Sequence, residues 1–388
     1  MIDTDIMKAK GLGIYDALGV KRVINASSWV TTLGGSIMPS EVVQAMAGAA
    51  DCFLDMRELN RKAGEIIAQH TGAEAGLVTS GAAGAMTLQA AACMTGKDLG
   101  KISRLPDTAG MKNEIIMLRG HRMGFDRAFT LAGARIVDVG AVRLSPLWTI
   151  EAAISERTAA MAYVVGWGMS RWPSLEEVIE IVHKHGLPVI VDAAAMLPPE
   201  ENLTKFVAMG ADLVCFSGGK GLRGPQSTGI LCGRKELVEA AALNGSPNMS
   251  LGRPMKVCKE EIIGVITALE LFVQRDHQAE WEEWHNKSQT IVEALQGIPG
   301  VITTVAKGNR EGNLEREGPQ AVIRFDASWK GPSIPEIKES LLSGDPPIHV
   351  GHGLLGYANE EINIAPQTLK DGEEEVIAER LCSLLTVH

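Results

Sequence analysis

The chain alternates short apolar runs with helical patterns from about residue 63 to residue 233. Helical segments such as AGEIIAQHTG, AAGAMTLQAAACMTG and SLEEVIEIVHKHG lie between several of the runs. The apolar runs end at Gly, Asp or Ser, and they are AGLVTSG, NEIIMLRG, ARIVDVG, TAAMAYVVG, LPVIVDAAA, ADLVCFSGG and TGILCG. Runs that are apolar on both faces are typical of strands covered on both sides by helices. The pattern therefore predicts an α/β fold whose large domain is built on a mostly parallel sheet.

A helical pattern continues through residues 256–300, which predicts one long connecting helix or a broken pair of helices. Strand and helix patterns alternate after it and predict a small α+β domain; the segments are VITTVAK, AVIRFDA, SIPEIKESLLSG, PPIHVGH, EINIAPQTL and EEEVIAERLCSLL. We therefore predict a large domain at 46–255 and a small carboxyl-terminal domain at 256–388 that includes the long helix. Residues 1–45 are predicted to pack near the site or on the small domain.

The charge of the chain limits the partners it can have. Its 388 residues carry a formal net charge of −10, whereas a nucleic-acid backbone needs a concentrated cationic surface. No run of 18 apolar residues occurs, and the six cysteines show no metal-ligand spacing and lie mostly in apolar surroundings. We expect a cytoplasmic protein with buried, reduced thiols and no metal, nucleic-acid or membrane partner.

Candidate chemistry lies just after the apolar runs, because ligands of open α/β sheets bind outside the carboxyl ends of the strands. In VTSGAAGA a strand turns through Ser80, Gly81 and Ala82 into a helix whose first turn is almost bare of side chains. Its free backbone N–H groups suit a phosphate. The same residues also suit a tight strand-to-helix turn with close packing.

Two further strand ends carry an aspartate and a lysine. Asp192 ends the run PVIVD, where a buried carboxylate needs a partner such as a protonated ring nitrogen, although it also suits a helix N-cap. Lys220 lies between glycines in SGGKG after the following run. Partial burial lowers the pKa of an amine and bare neighbours admit a carbonyl compound, so Lys220 suits a Schiff base. A surface lysine on a glycine-rich turn is the structural alternative.

Several segments together resemble a known family. The segments are INASSWVTTLGGSIMP, GLVTSGAAGAMTLQAAACMTG, DLVCFSGGKGLRGPQSTGILCG, LGRPMKVCKEEIIG and INIAPQTLKDGEE. They resemble the selenocysteine-synthase-like group of fold-type I pyridoxal phosphate enzymes, which includes the D-glucosaminate-6-phosphate ammonia-lyase type. The resemblance covers nearly the whole chain from about residue 20 and implies an aminotransferase-like fold. The family's selenium-transferring members act on a charged tRNA, which does not suit this acidic chain.

The resemblance implies roles for the strand-end residues. Lys220 would bind pyridoxal 5'-phosphate as a Schiff base and then act as general base, and Asp192 would pair with the ring nitrogen. Ser217 would hold the phosphate together with Ser80, Gly81 and Ala82. His121 would stack on the cofactor ring, with a loop histidine bonded to backbone as the alternative. Arg253 would bind cofactor and reach a neighbouring subunit's site, so we expect a homodimer or larger homo-oligomer.

Arginines near this centre are candidates for anionic groups of the substrate, because a guanidinium binds carboxylate or phosphate in two-point fashion. They are Arg119, Arg122, Arg171, Arg223 and Arg253. Surface salt bridges are the alternative for each of them. Thr31 and Thr32 are further candidates for substrate contact. His349 and His352 have the spacing of a metal pair but no evident third ligand, so we interpret them as strand-end residues.

The residues and the resemblance together predict an enzyme acting on a small amino acid or amino sugar acid. Removal of the α-proton and loss of a β-substituent would give a 2-oxo acid and ammonia. An amino acid racemase or epimerase and a carbon–carbon lyase would use the same residues, and both remain alternative functions. A protein that binds pyridoxal phosphate without catalysis is a further alternative.

Overall fold

A computed structural model describes residues 13–166, 172–308, 318–351 and 361–386. The helices of this part of the chain are α1 (Gly13–Ala17), α2 (Ser40–Ala49), α3 (Met56–Thr71), α4 (Gly81–Thr95), α5 (Leu99–Arg104), α6 (Arg127–Leu131), α7 (Trp148–Ala153), α8 (Leu175–His183), α9 (Asn202–Ala208), α10 (Lys235–Asn244), α11 (Lys259–Gln274), α12 (His277–Ala294), α13 (Ile334–Ser343) and α14 (Glu373–Leu385). The strands are β1 (Ile24–Ala26), β2 (Ala75–Thr79), β3 (Glu114–Leu118), β4 (Arg135–Val139), β5 (Thr158–Val164), β6 (Val189–Asp192), β7 (Leu213–Ser217), β8 (Gly229–Gly233), β9 (Val301–Ala306), β10 (Gln320–Phe325), β11 (Ile348–Val350) and β12 (Ile362–Ile364).

The chain divides into two units. The large unit is Gly34–His277, and the small unit combines the described residues before Gly34 with those after His277. These limits differ from the predicted boundaries after residues 45 and 255. The reason is α11, whose Val265, Leu269 and Phe272 are buried in the core of the large unit. The helical pattern at 256–300 is a broken pair, because α11 ends at Gln274 and α12 begins at His277.

The large unit contains a seven-stranded sheet with the order β2-β8-β7-β6-β5-β3-β4. The neighbours from β7 to β4 are parallel, whereas β8 is antiparallel to both β7 and β2. Six strands therefore point in one direction and β8 in the other. The predicted α/β fold with a mostly parallel sheet is confirmed.

Alternate residues of the central strands fill two separate cores. Val191 and Phe216 pack on one face with helices that include α3, α8 and α11, whereas Ile190 and Cys215 pack on the other face with α4, α6 and α10. The sheet thus lies between two helical layers, which is why its strands are apolar on both faces. Asp192, at the carboxyl end of β6, lies two residues after Ile190. Its side chain is therefore on the same face of the sheet as Ile190, which is the face covered by α4.

The small unit has its own core around a three-stranded antiparallel sheet of order β12-β10-β9 and a parallel pair of β1 with β11. Ile323, Ile364 and Leu381 are among its fully buried side chains. The strand and helix patterns predicted after residue 300 correspond to these elements. No helix in the described ranges has both the length and the apolar composition needed to cross a membrane.

Candidate active site

The residues predicted from strand ends come together at one edge of the large unit's sheet. Val164 at the end of β5 pairs in register with Asp192 of β6, and Asp192 pairs with Cys215 of β7. Lys220 follows β7 by three residues, and His121 follows β3 by three residues. Because these strands are parallel, their carboxyl ends face the same edge. The site is therefore assembled from segments that are far apart in sequence.

The amino end of α4 presents the groups that an anion needs. Ser80 is the N-cap residue, its side chain makes no capping hydrogen bond, and Gly81 has a φ of 69°. The N–H groups of Gly81, Ala82 and Ala83 donate to no acceptor within the described ranges. A β carbon added to Gly229 would lie 2.6 Å from the carbonyl carbon of Gly81, so the backbones touch here. This turn keeps free donors at the positive end of a 15-residue helix.

Asp192 is buried with one carboxylate oxygen engaged. Its Oδ1 accepts a hydrogen bond of 3.0 Å from the N–H of Ala194 and lies 4.0 Å from Sγ of Cys215. Oδ2 takes no hydrogen bond from any residue that the structure describes. Burial raises the pKa of Asp192, while the Ala194 N–H and the positive charge of Lys220 act in the opposite direction. A cationic N–H partner at Oδ2 would offset the remaining desolvation.

Lys220 is half-buried, and it lies on a tight turn between Gly219 and Gly221. The N–H of Arg223 closes the turn on the Lys220 carbonyl at 2.8 Å. A β carbon added to Gly219 would lie 2.3 Å from Cα of Gln226, and one added to Gly221 would lie 2.0 Å from the carbonyl oxygen of Leu197. The Lys220 side chain makes no hydrogen bond or ion pair in the described ranges. The flanking glycines thus let the backbone pack tightly while the amine stays available.

His121 is buried at the carboxyl end of β5. The N–H of Val164 donates to its Nδ1 at 3.2 Å, so the proton of the neutral ring is on Nε2. Nε2 is buried and has no partner among the described residues. The ring packs edge to face against Tyr163 and Trp172, with centroids 4.6 and 5.0 Å away. Burial lowers the pKa of His121 from 6.5 to about 4. His121 is therefore a neutral donor with an unused N–H.

The remaining predicted residues of the large unit differ in their surroundings. Ser217 is half-buried at the end of β7, and Arg119 is exposed on the turn before His121. Arg122 is held by two carboxylates, those of Asp126 and Asp138, so its guanidinium already has anionic partners. Arg223 has a φ of 60°, an uncommon backbone conformation for arginine, in the turn that begins at Lys220. Backbone strain of this kind is often found at functional sites.

Other predicted residues lie in the small unit or outside the described residues. Thr31 and Thr32 are exposed on a 3₁₀ turn of the small unit, and His349 lies in β11. Arg171 and His352 lie outside the described residues. In the described ranges no group of three or more His, Cys, Asp or Glu side chains is placed to hold a metal ion.

Arg253 lies on a separate cavity of about 290 Å³ in the large unit. Its lining combines apolar side chains, among them Leu77 and Leu88, with the cations of Arg253, Lys256 and Lys259. Thr79, the residue before Ser80, also lines it, so the cavity borders the turn into α4. Lys220, Asp192 and His121 are not part of its lining.

Sequence reasoning missed the residues that surround the predicted ones. Cys215 touches Asp192, and Trp172 packs on His121 and against the bare Cα of Gly120. The contact of Cys215 depends on the register of β6 and β7, which no local pattern reveals. The prediction of buried thiols is correct for Cys215 and Cys232 but wrong for Cys52 and Cys258, which are exposed.

The sheet order, the free helix terminus after β2 and the Asp and Lys on consecutive strand ends define a protein of the aminotransferase-like fold, which fold-type I pyridoxal phosphate enzymes share. The chain belongs to the L-seryl-tRNA selenium transferase family, whose model matches residues 23–282. A solved structure of D-glucosaminate-6-phosphate ammonia-lyase superposes with a TM-score of 0.81 at 33% identity, covering 96% of this chain and 98% of that chain.

Two relatives are similar over nearly their full lengths. A D-glucosaminate-6-phosphate ammonia lyase from Salmonella typhimurium (strain 14028s / SGSC 2262) is 34% identical over 377 residues, which is 95% of this chain and 96% of the relative. A 5'-C-glycyluridine monooxygenase-decarboxylase from Streptomyces sp is 34% identical over 382 residues, which is 96% of this chain and 92% of the relative. The predicted family and the prediction of an enzyme are confirmed.

Proposed function

We propose that this protein is a pyridoxal phosphate-dependent lyase that acts on a small amino acid or amino sugar acid. The substrate loses its α-proton and a β-substituent, and hydrolysis of the product yields a 2-oxo acid and ammonia. The observation that carries the proposal is the placement of Lys220 and Asp192 on neighbouring strand ends beside the free N–H groups of α4. The similarity to an ammonia lyase over nearly the whole chain supports this reaction type and an amino sugar acid as substrate.

The residues present fit pyridoxal phosphate. The N–H groups of α4, with the hydroxyls of Ser80 and Ser217, suit the phosphate, and Oδ2 of Asp192 suits the ring nitrogen. The Lys220 amine suits the aldehyde, and the His121 ring suits one face of the cofactor. The unpartnered Nε2–H of His121 and the unused Oδ2 of Asp192 are the polar groups that such a ligand would satisfy. When bound, the cofactor supplies an electron sink for the carbanion formed at Cα.

Lys220 is proposed to move the proton at the substrate's Cα. Its amine has no competing partner in the described ranges, so it is free to bind the cofactor and, once displaced by substrate, to accept a proton. Asp192 is proposed to hold a proton at the ring nitrogen. Burial of this carboxylate makes a cationic partner favourable, which is the condition for keeping that nitrogen protonated.

The substrate's anionic groups need guanidinium partners near this edge. Among the predicted arginines Arg223 lies closest in sequence to Lys220, and its backbone is held in the same turn. We assign it to the substrate carboxylate or phosphate. The guanidinium of Arg122 is paired with the carboxylates of Asp126 and Asp138.

The first experiment is the absorbance spectrum of the purified protein, before and after borohydride, followed by peptide mapping. A visible band that borohydride bleaches, with the reduced adduct on Lys220, supports the cofactor and its anchor. Lys220→Ala is expected to lower the rate of 2-oxo acid release at least about a thousandfold, because it removes both the anchor and the base. Lys205→Ala, a change on α9 away from the strand ends, is the control. A protein that stays colourless with added pyridoxal phosphate would contradict the proposal.

A carbon–carbon lyase is a second candidate, because the equally similar Streptomyces relative is named a monooxygenase-decarboxylase. The same Lys220 and Asp192 serve either reaction, and the bond that breaks depends on how the substrate is oriented. Product analysis separates them: ammonia with a 2-oxo acid supports elimination, and carbon dioxide supports decarboxylation. Solvent deuterium at Cα of recovered substrate, with neither product, would indicate racemisation.

We also propose that the protein forms a homodimer or larger homo-oligomer. Phe53 and Met249 of the large unit are almost fully exposed in the single chain, at 104% and 97% of their reference areas. Burying large apolar side chains of this kind favours association. Light scattering after size-exclusion chromatography tests the assembly, and a monomeric mass at working concentration would contradict it.

A further inference from the structure

A thiol contacts the carboxylate of the candidate site from the neighbouring strand. Cys215 of β7 is the register partner of Asp192 of β6, and its side chain is fully buried. Sγ lies 4.0 Å from Oδ1 of Asp192, the same oxygen that accepts the N–H of Ala194 at 3.0 Å. One donor from the turn after β6 and one from β7 therefore converge on one oxygen and leave the other unengaged in the described ranges.

The Cys215 thiol keeps its proton and therefore acts as a hydrogen-bond donor. Burial raises the pKa of Cys215 well above its usual range, and the charge of Asp192 acts in the same direction. The other ionisable groups that act on this thiol are Cys232, which raises its pKa, and Lys220, which lowers it. Because the sulfur keeps its proton, the contact with the carboxylate is an S–H donor facing an oxygen acceptor.

We propose that Cys215 is a positioning residue for Asp192, whose Oδ1 it holds together with the Ala194 N–H so that Oδ2 faces the site. The inference rests on the proposed function, in which Oδ2 accepts the ring-nitrogen proton of pyridoxal phosphate. Without the thiol the carboxylate has one fixed donor and can rotate about its terminal bond. This rotation would move Oδ2 away from the position in which it accepts a hydrogen bond from the ring nitrogen.

The test is a double-mutant cycle on the full-length protein with pyridoxal phosphate itself as the probe. Dissociation constants are measured by absorbance titration for the wild type, Cys215→Ala, Asp192→Ala and the double variant. We expect Cys215→Ala to weaken binding about threefold to tenfold when Asp192 is present, the range of one modest hydrogen bond. It is expected to have no effect in the Asp192→Ala background, because the thiol acts through the carboxylate.

Cys232→Ala is the matched control. Cys232 is also fully buried, but its thiol lies 3.6 Å from the backbone carbonyl of Val214. We expect this variant to bind pyridoxal phosphate like the wild type. Thermal unfolding of the cofactor-free proteins monitors stability, and Cys215→Val, which fills the space without a donor, replaces Cys215→Ala if that variant does not fold.

The outcomes separate the two proposals. Equal weakening by Cys215→Ala in both backgrounds, or weakening by Cys232→Ala to the same degree, would show a packing effect and overturn the positioning role. Unchanged affinity of Cys215→Ala would overturn it as well. Wild-type affinity of Asp192→Ala would overturn the role of Asp192 in the proposed function, and with it this inference.

Discussion

His121 and Asp192 are ionisable groups on which burial acts in opposite senses. Burial disfavours the charged form of each, so it lowers the pKa of the imidazole and raises the pKa of the carboxyl. For His121 nothing opposes this effect, and the ring is neutral. For Asp192 the Ala194 N–H and the charge of Lys220 oppose this effect only in part, so the pKa of the carboxyl stays raised. Two groups within one site are thereby prepared for different roles.

The neutral state of His121 makes the stability of the protein depend on pH. The folded protein binds no proton on this ring until the pH approaches about 4, whereas the unfolded chain binds one below about 6.5. Stability therefore falls as the pH falls from 6.5 toward 4, and this group alone contributes a loss of about 3 kcal/mol. Urea unfolding at neutral and acidic pH measures it.

A variant comparison isolates this contribution from other titrating groups. His121→Gln is expected to lose less stability than the wild type over the same pH interval, because glutamine does not titrate. His285→Gln, a change at an exposed side chain, is the control and should follow the wild type. Parallel pH dependence in wild type and His121→Gln would show that the ring is not held neutral by burial.

Single side chains differ in how far the sequence reveals their contacts. Asp126 stands four residues after Arg122, so a pair between them is visible locally, but Asp138 reaches the same guanidinium from β4. Cys215 and Asp192 are 23 residues apart and touch only because of the register of their strands. Residue types and spacing predict the strand-end Asp and Lys, whereas their surroundings require the fold.

The contact between β8 and α4 determines the shape of the proposed phosphate site. A β carbon at residue 229 would lie 2.6 Å from the carbonyl carbon of Gly81 and 2.8 Å from the N of Ala82. Gly229→Ala therefore displaces the first turn of α4, whose N–H groups are proposed to bind the phosphate. We expect affinity for pyridoxal phosphate to fall about tenfold or more, as overpacking typically costs 1–3 kcal/mol. Absorbance titration measures the dissociation constant.

Gly48→Ala provides the control for this change. Gly48 lies in α2 with no atom within 4 Å of an added β carbon, so the variant should bind normally and gain slight stability from helix propensity. If Gly229→Ala binds as tightly as Gly48→Ala, the turn is not part of the phosphate site.

Elements are the level at which the sequence is most informative. Apolar runs closed by Gly, Asp or Ser correspond to β2 through β8, because strands between two helical layers need apolar side chains on both faces. The order of the strands does not follow from these runs. β8 lies between β2 and β7 and is antiparallel to both, and a buried strand has the same composition in either direction.

The net charge of the whole molecule affects its binding to nucleic acids. The formal net charge of −10 disfavours binding to a phosphate backbone, although the matching family model is named for a transferase that acts on seryl-tRNA. We expect no saturable binding of labelled serine tRNA at roughly 10 μM protein and physiological salt. Fluorescence anisotropy measures it, with cofactor absorbance as the check that the protein is folded. Saturable binding under these conditions would contradict the expectation.

The position of β2 has a consequence for synthesis of the protein. β2 is an edge strand of the seven-stranded sheet, and its neighbour in the sheet is β8. A ribosome makes β2 and α4 long before Gly229–Gly233, so the nascent chain carries an apolar strand that still lacks its neighbour. Unpaired strands of this kind are prone to aggregate and are substrates for chaperones. The amino end of α4 thus acquires its final support, including the contact of Gly229 with Gly81, only when more than half of the polypeptide has left the ribosome.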